Sequence, residues 1–219
     1  MASAPDLEHL AALRREYEQE GLDESDLTED PLELFGTWFG QVHAAGLPEP
    51  NAMVLASAAA DASPAARFVL LKGIADGTFL FYTNLESRKG VELGDNPRCA
   101  LLFPWFPLQR QVRVEGEASP LSRERVEDYF ASRPRTAQLG AWASHQSQEV
   151  GSREELQTAY DEADARFADQ PVPCPSYWGG FAIRPHEVEF WQGRSGRMHD
   201  RIVYRLVPSG EWTTTRLAP

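Results

Sequence analysis

Apolar residues along this chain change their period more than once. Leu7, Leu10, Leu13 and Tyr17 recur at helical spacing, with Asp6 placed to cap the start and Gly21 just past the end. The spacing predicts a helix over 7–19, on which Arg14 and Tyr17 are neighbours three residues apart. A second helix is predicted from Asp30 as cap, with Pro31 in the first turn and Glu33 at the capping-box position. Phe35, Trp38, Phe39 and Val42 form its apolar stripe.

Beyond Asn51 the pattern becomes that of strands. "AMVLASA", "ARFVLLKGI" and "TFLFYTN" are apolar and aromatic runs separated by the turn signals "DASP" and "ADG". A short helix, entered near Ser87 and stopped before Pro97, precedes "CALLFPW" and "RQVRVEGEA". The last of these alternates Gln111, Arg113 and Glu115 with Val112 and Val114. Two further helices are predicted. "SRERVEDYFASRP" is capped by Ser122 and ended by Pro134; "SREELQTAYDEADARF" opens on a Ser152–Glu155 capping box and buries Leu156, Tyr160, Ala163 and Phe167. The Pro-rich link "DQPVPCPSYWGG" leads to terminal strands, "FAIRPHEVEFW" and "RIVYRLV", closed by a "PSGEW" hairpin. Antiparallel strands with helices at their connections predict an α+β fold around a closed or partly closed barrel.

Composition narrows the partners. The net charge of -12 and pI near 4.9 argue against nucleic acid, which needs a broad basic surface. No apolar run is long enough to span a bilayer, and the N-terminus lacks a basic region followed by an apolar one, so the cytoplasm is the expected compartment. Cys99 and Cys174 read as isolated reduced thiols, and the five histidines show no metal-ligand spacing, so no metal is expected. Neither a dinucleotide-type glycine motif nor a Walker phosphate loop is present.

A few converging cations still suffice to bind phosphate esters in an acidic protein. Arg67 and Lys72 lie five residues apart on one predicted strand and so point to opposite faces, unless a bulge, a twisted end or a subunit boundary intervenes. Arg88 and Lys89 follow Ser87 at a helix start, where free N–H groups favour anions. Tyr129 and Arg133, four apart, share a helical face, and "EFWQGRSGRMHDR" gathers Arg194, Arg197, His199 and Arg201. Taken singly, each has a commoner structural explanation: an arginine paired to a carboxylate, a hydrogen-bonded histidine, or Trp142 and Trp191 as core.

Taken in series, "LRREY", "RFVLLKG", "FYTNLESRKG", "NPRCALLFPW", "RQVRVEG", "YFASRPR", "QLGAWASHQS", "PSYWGGF", "EFWQGRSGRMHDR" and "RLAP" resemble pyridoxine/pyridoxamine 5'-phosphate oxidases, in order and over nearly the whole chain. The resemblance implies an FMN-binding split β-barrel with surrounding helices. It implies one domain over 1–219, whose N-terminal helical segment, 1–28, is mobile and covers the active site. It also implies a homodimer with FMN between the subunits.

By resemblance, FMN falls to Arg67, Phe68, Val69, Leu70, Leu71, Lys72, Tyr82, Thr83, Arg88, Lys89, Gln111, Gln146, Ser147, Trp191 and Arg201. The substrate phosphate falls to Lys72, Tyr129 and Arg133. Arg197 and His199 are the catalytic pair against the pyridine ring, and Arg14 and Tyr17 cover the bound substrate. The implied reaction is oxidation of pyridoxamine and pyridoxine 5'-phosphates to pyridoxal 5'-phosphate by hydride transfer to FMN. Dioxygen then reoxidises the flavin and gives hydrogen peroxide.

One position departs from the pattern. Ala137 stands where the family usually has a serine that donates to the substrate phosphate, with Thr136 or a water as possible substitutes. That leaves open a related FMN oxidase of another aromatic substrate, of the phenazine type, or a noncatalytic FMN/PLP-binding protein. Arg194 matches no implied role and reads as solvated.

Overall fold

The structure is a computed structural model that describes Tyr17 and residues 21–219. The helix predicted over 7–19, and Arg14 with it, lie outside the described residues.

A first helix, α1 (Pro31–Ala44), follows a short 3-10 turn, Glu24–Asp26. The strands are β1 (Ala52–Ala58), β2 (Pro64–Leu70), β3 (Gly73–Ala75), β4 (Thr78–Asn84), β5 (Arg98–Trp105), β6 (Arg110–Pro120), β7 (Trp178–Gln192), β8 (Asp200–Leu206) and β9 (Trp212–Arg216). Helix α2 (Arg88–Asp95) joins β4 to β5. Helices α3 (Arg123–Ser132), α4 (Arg135–Ala143) and α5 (Arg153–Arg166) fill the long connection between β6 and β7.

Every strand pair is antiparallel, in the order β2-β1-β5-β6-β7-β4-β3, with β8 on β7 and β9 on β8. The sheet curls into a half-barrel, the α+β split barrel expected. β7 makes this possible. Its first half pairs with β4 and its second with β8, while β6 runs along both. The register shifts between Glu115 and Gly116, so that Glu187 and Pro185 face them and His186 has no opposite residue. Gly116 is required there, because a Cβ would lie 2.3 Å from the Arg184 carbonyl oxygen.

The core is the inner face of this sheet, closed by α1. Phe35 packs edge-on against Phe79 and Phe103, and Trp38 against Phe190. Phe39, read as part of the buried stripe, is only half-buried; Leu34 takes the buried place instead. Asp30 caps α1 through Leu32 N–H, but Glu33 does not complete a box. Glu155 likewise reaches Gly151 N–H rather than the cap residue. A second, smaller cluster under α3–α5 contains Phe130, Leu139, Ala141, Ala163 and Phe167.

Two elements differ from the sequence reading. "ARFVLLKGI" is not one strand: it breaks at Leu71–Lys72, where Leu71 N–H donates to Asn51 and Lys72 N–H to Leu80. That break places Lys72 between β2 and β3 rather than on the strand that carries Arg67. The stretch after Pro134, to which the pattern assigned no element, is α4.

Candidate active site

The predicted residues fall into two groups on one chain. The first surrounds a cavity of about 390 Å³ between β2, β4, α3 and the start of β7. Phe68, Val69, Leu70, Lys72, Tyr82, Thr83, Lys89, Tyr129, Arg133 and Gln146 all line it, beside Pro134, Ala137 and Trp178. Leu71 is not brought to the cavity but turned into the core, 7% exposed. Ser147 follows Gln146 in a turn, with φ 73.

Lys89 is a buried cation in the lining of this cavity. Ser87 caps α2 and Lys89 occupies its first turn, buried, with Nζ donating to Gln146 Oε1 (2.7 Å), Thr83 Oγ1 (3.1 Å) and Ser87 Oγ (3.1 Å). All three partners are neutral oxygens. Burial, with the Arg67 charge added, pulls its pKa down to about 8, against a smaller upward pull from Glu92. Behind it, Arg67 and Arg88 both bind Glu92, at 2.9 and 2.7 Å. Three cations therefore face one carboxylate.

At the other end of the cavity donors outnumber acceptors again. Arg133 is not on the α3 face predicted for it. It is the extended residue just past the helix, with its guanidinium 4.2 Å over the Trp178 ring. Arg133 NH1 and Trp178 Nε1 are both buried without a hydrogen-bond partner among the described residues. Burial disfavours the charged forms of Arg133 and of its neighbour Tyr129. Tyr129 stacks on Tyr82 with centroids 3.7 Å apart and planes 8° apart. Ala137 lines the same space, whereas Thr136 is exposed and does not line the cavity. Buried, unpaired donors are costly unless an anion completes them. This end fits a phosphate.

The second group lies across β6, β7 and β8. Gln111, Trp191 and Arg201 are successive cross-strand neighbours. Arg201 Nε donates to Glu189 Oε1 at 2.7 Å, which holds its guanidinium pKa above the ordinary value. Trp191 is flanked by His199 (centroids 4.7 Å) and Tyr17 (6.1 Å), and Tyr17 also touches His199 (5.5 Å). Arg197 sits exposed in the short turn Ser195–Arg197, with φ 61 after Gly196 at φ 62.

His199 Nδ1 accepts the Arg194 N–H at 3.1 Å, so the neutral ring carries its proton on Nε2. Arg194 itself is not a merely solvated side chain. Its NH1 donates to Asp200 (3.0 Å), a carboxylate that also accepts Leu22 N–H and Arg216 NH1. The sequence named neither Glu92, Trp178 nor Asp200. Trp178 and Asp200 stand within the segments that carry the resemblance and Glu92 outside them, but only the folded chain shows what each one holds.

A wider groove of about 810 Å³, lined by Arg98, Cys99, Glu117, Arg184 and His186 among others, contains none of the predicted residues. Burial pushes the Cys99 thiol up to about 12, which disfavours the thiolate.

A curled antiparallel half-barrel with helices at its connections and a donor-rich cavity beside β2 and β4 defines a split-barrel protein of the flavin-binding oxidase class. Comparison with known proteins agrees. Residues 39–167 match the family described as pyridoxamine 5'-phosphate oxidase, and residues 178–219 the pyridoxine 5'-phosphate oxidase C-terminal dimerisation region. The chain therefore belongs to the pyridoxine/pyridoxamine 5'-phosphate oxidase family. Relatives of that name include one from Nocardioides sp., 58% identical over 96% of this chain and 98% of its own, and one from Salinibacter ruber, 53% identical over 96% and 99%. Among solved structures, PhzG from Burkholderia lata in complex with tetrahydrophenazine-1-carboxylic acid is similar with a TM-score of 0.83 at 31% identity, covering 89% of this chain and 95% of that one. A pyridoxamine 5'-phosphate oxidase-related FMN-binding protein from Nostoc punctiforme shares the fold at TM-score 0.69 and 16% identity, covering 84% and 96%. Among the described residues, no helix is long and apolar enough to cross a membrane.

Proposed function

We propose that the chain is a homodimeric, cytoplasmic enzyme that oxidises pyridoxamine and pyridoxine 5'-phosphates to pyridoxal 5'-phosphate. FMN is its cofactor, and dioxygen is the acceptor, released as hydrogen peroxide. The observation that carries the reading is the division of the site. A donor-rich cavity and an aromatic rim with His199 and Arg197 sit on separate parts of one chain, and each is incomplete alone. Each half is edged by a large apolar side chain left in solvent, Phe68 at 70% and Met198 at 69%. A two-fold axis that set one chain's cavity against its partner's rim would complete both and cover those side chains. The dimerisation region spans β7–β9, which carry that rim.

In this arrangement Arg67, Arg88 and Lys89, with Thr83, hold the flavin phosphate. Phe68, Val69, Leu70 and Tyr82 wall the flavin, Leu71 anchors that wall in the core, and Gln111, Gln146, Ser147, Trp191 and Arg201 complete the contacts. FMN, when bound, supplies the hydride-accepting chemistry. Lys72, Tyr129 and Arg133 bind the substrate phosphate. Arg197 stays protonated and acts by charge and position. His199, with its proton on Nε2, donates toward the pyridine ring rather than accepting from it. Tyr17, against Trp191 and His199, is where the N-terminal segment 1–28, with Arg14, covers the substrate. Residues 1–219 act as one domain in this reading.

The test is direct. The purified protein should show flavin absorbance or take up added FMN. Pyridoxamine 5'-phosphate in air should then yield aldehyde and peroxide together. A colourless protein that binds no FMN would overturn the reading. Turnover of a phenazine precursor but not of the B6 phosphates would move the activity to the PhzG side of the fold.

A further inference from the structure

Glu92 is given no cofactor or substrate contact above, yet it is among the most thoroughly engaged side chains in the molecule. It lies on α2 one turn after Arg88, 4% exposed. Its Oε2 accepts from Ser57 Oγ (2.5 Å) and Arg67 NH2 (2.9 Å), and its Oε1 from Arg88 Nε (2.7 Å). Burial alone would push its carboxyl up, but the Ser57, Arg88 and Arg67 hydrogen bonds outweigh that and hold it below the usual carboxylate range.

Arg67 is fixed further through NH1, which donates to Ser57 Oγ and to the Leu55 and Ala65 carbonyls. Arg67 Nε and both terminal nitrogens of Arg88 have no hydrogen-bond partner among the described residues. Two guanidiniums from different elements, β2 and α2, are thus tied to one carboxylate with donors to spare.

We propose that Glu92 is a positioning residue for the cofactor phosphate: it clamps Arg67 and Arg88 side by side, so that their remaining N–H groups serve one anion. This rests on the reading that Arg67, Arg88 and Lys89 take the FMN phosphate. A carboxylate behind a phosphate site looks adverse by charge alone. Three cations surround it, however, and without it two long side chains would lose the partner that orders them against their own repulsion. Glu92 also helps keep the buried Lys89 charged, opposing the pull of Arg67 on the same ammonium.

Comparing FMN with riboflavin, which lacks the phosphate, separates positioning from a general structural role. Flavin-free full-length protein is titrated with each ligand, following the change in flavin fluorescence. Glu92→Gln, nearly isosteric but unable to accept from both guanidiniums with full charge, should weaken FMN by about tenfold or more and leave riboflavin within about twofold. Should the amide variant fail to fold, Glu92→Asp carries the same test. It keeps the charge but shortens the reach, and should lose FMN affinity selectively. Unchanged or tighter FMN binding, or equal loss of both ligands, would overturn the proposal. Arg67→Ala is the reference: if it leaves the preference for FMN over riboflavin intact, the phosphate assignment is what fails, and not the clamp alone.

Discussion

The guanidinium of Arg133 lies over Trp178 with NH1 unpaired, in a cavity where Ala137 offers a methyl group and no hydroxyl. Restoring an oxygen there should help. Ala137→Ser adds a donor to a charged acceptor, worth about 1.5–3 kcal/mol where it forms, so KM for pyridoxamine 5'-phosphate should fall about tenfold or more in steady-state assays with kcat little changed.

On the rim, Arg197→Ala should retain FMN and lose most oxidase activity; near-normal turnover would remove Arg197 from the site. His199→Gln, which keeps an N–H near the position of Nε2, should retain more turnover than His199→Ala. The reverse order would argue for a proton-accepting histidine.

Lys89 gives a pH signature. A group at about 8 is half neutral at that pH, and an arriving phosphate favours the ammonium and raises its pKa. FMN binding at pH 8 should therefore take up roughly half a proton, measured by calorimetry in buffers of different ionisation enthalpy, and riboflavin should take up none.

Residue types at these positions were legible because arginine, lysine and tyrosine announce anion chemistry. Their restraints were not. Arg194 reads as solvated, and only folding sets Asp200 between its guanidinium and Leu22 N–H.

At the scale of elements, sequence pattern located every strand except β9 and the separate β3, and all described helices but α4. Strands were readable because aromatic and β-branched runs are bounded by turn residues. Pro104 did not spoil β5: β1 pairs with that strand only as far as Leu102, and Pro104 keeps its place opposite Gln111 of β6. The break at Leu71 was unreadable for a physical reason. "ARFVLLKGI" is locally a perfect strand, and the turn is imposed by long-range bonds to Asn51 and Leu80. The bulge opposite His186 is equally tertiary in origin. Gly116→Ala should force Cβ toward the Arg184 carbonyl and cost about 1–3 kcal/mol, lowering Tm by roughly 3–10 °C in calorimetry. An unchanged Tm would mean that the bulge relaxes.

At the scale of the whole molecule, the proposed dimer makes each chain one half of two sites. The cavity is built on β2, β4, α2 and α3, and the rim on β6, β7, β8 and the Ser195–Arg197 turn. Family likeness proposed both sets of residues from the sequence, but it gave no means of assigning them to separate places. β7 joins the two, pairing with β4 at one end and β8 at the other.

The consequence is genetic as much as structural. Two inactive alleles with lesions at opposite ends of β7's reach should rescue one another. In a mixed dimer of an Arg133→Ala chain and an Arg197→Ala chain, one composite site collects both lesions and the other collects none. Co-expressed and freely reassorted, such chains should recover about a quarter of wild-type activity per dimer, whereas two rim lesions in different chains should recover nothing.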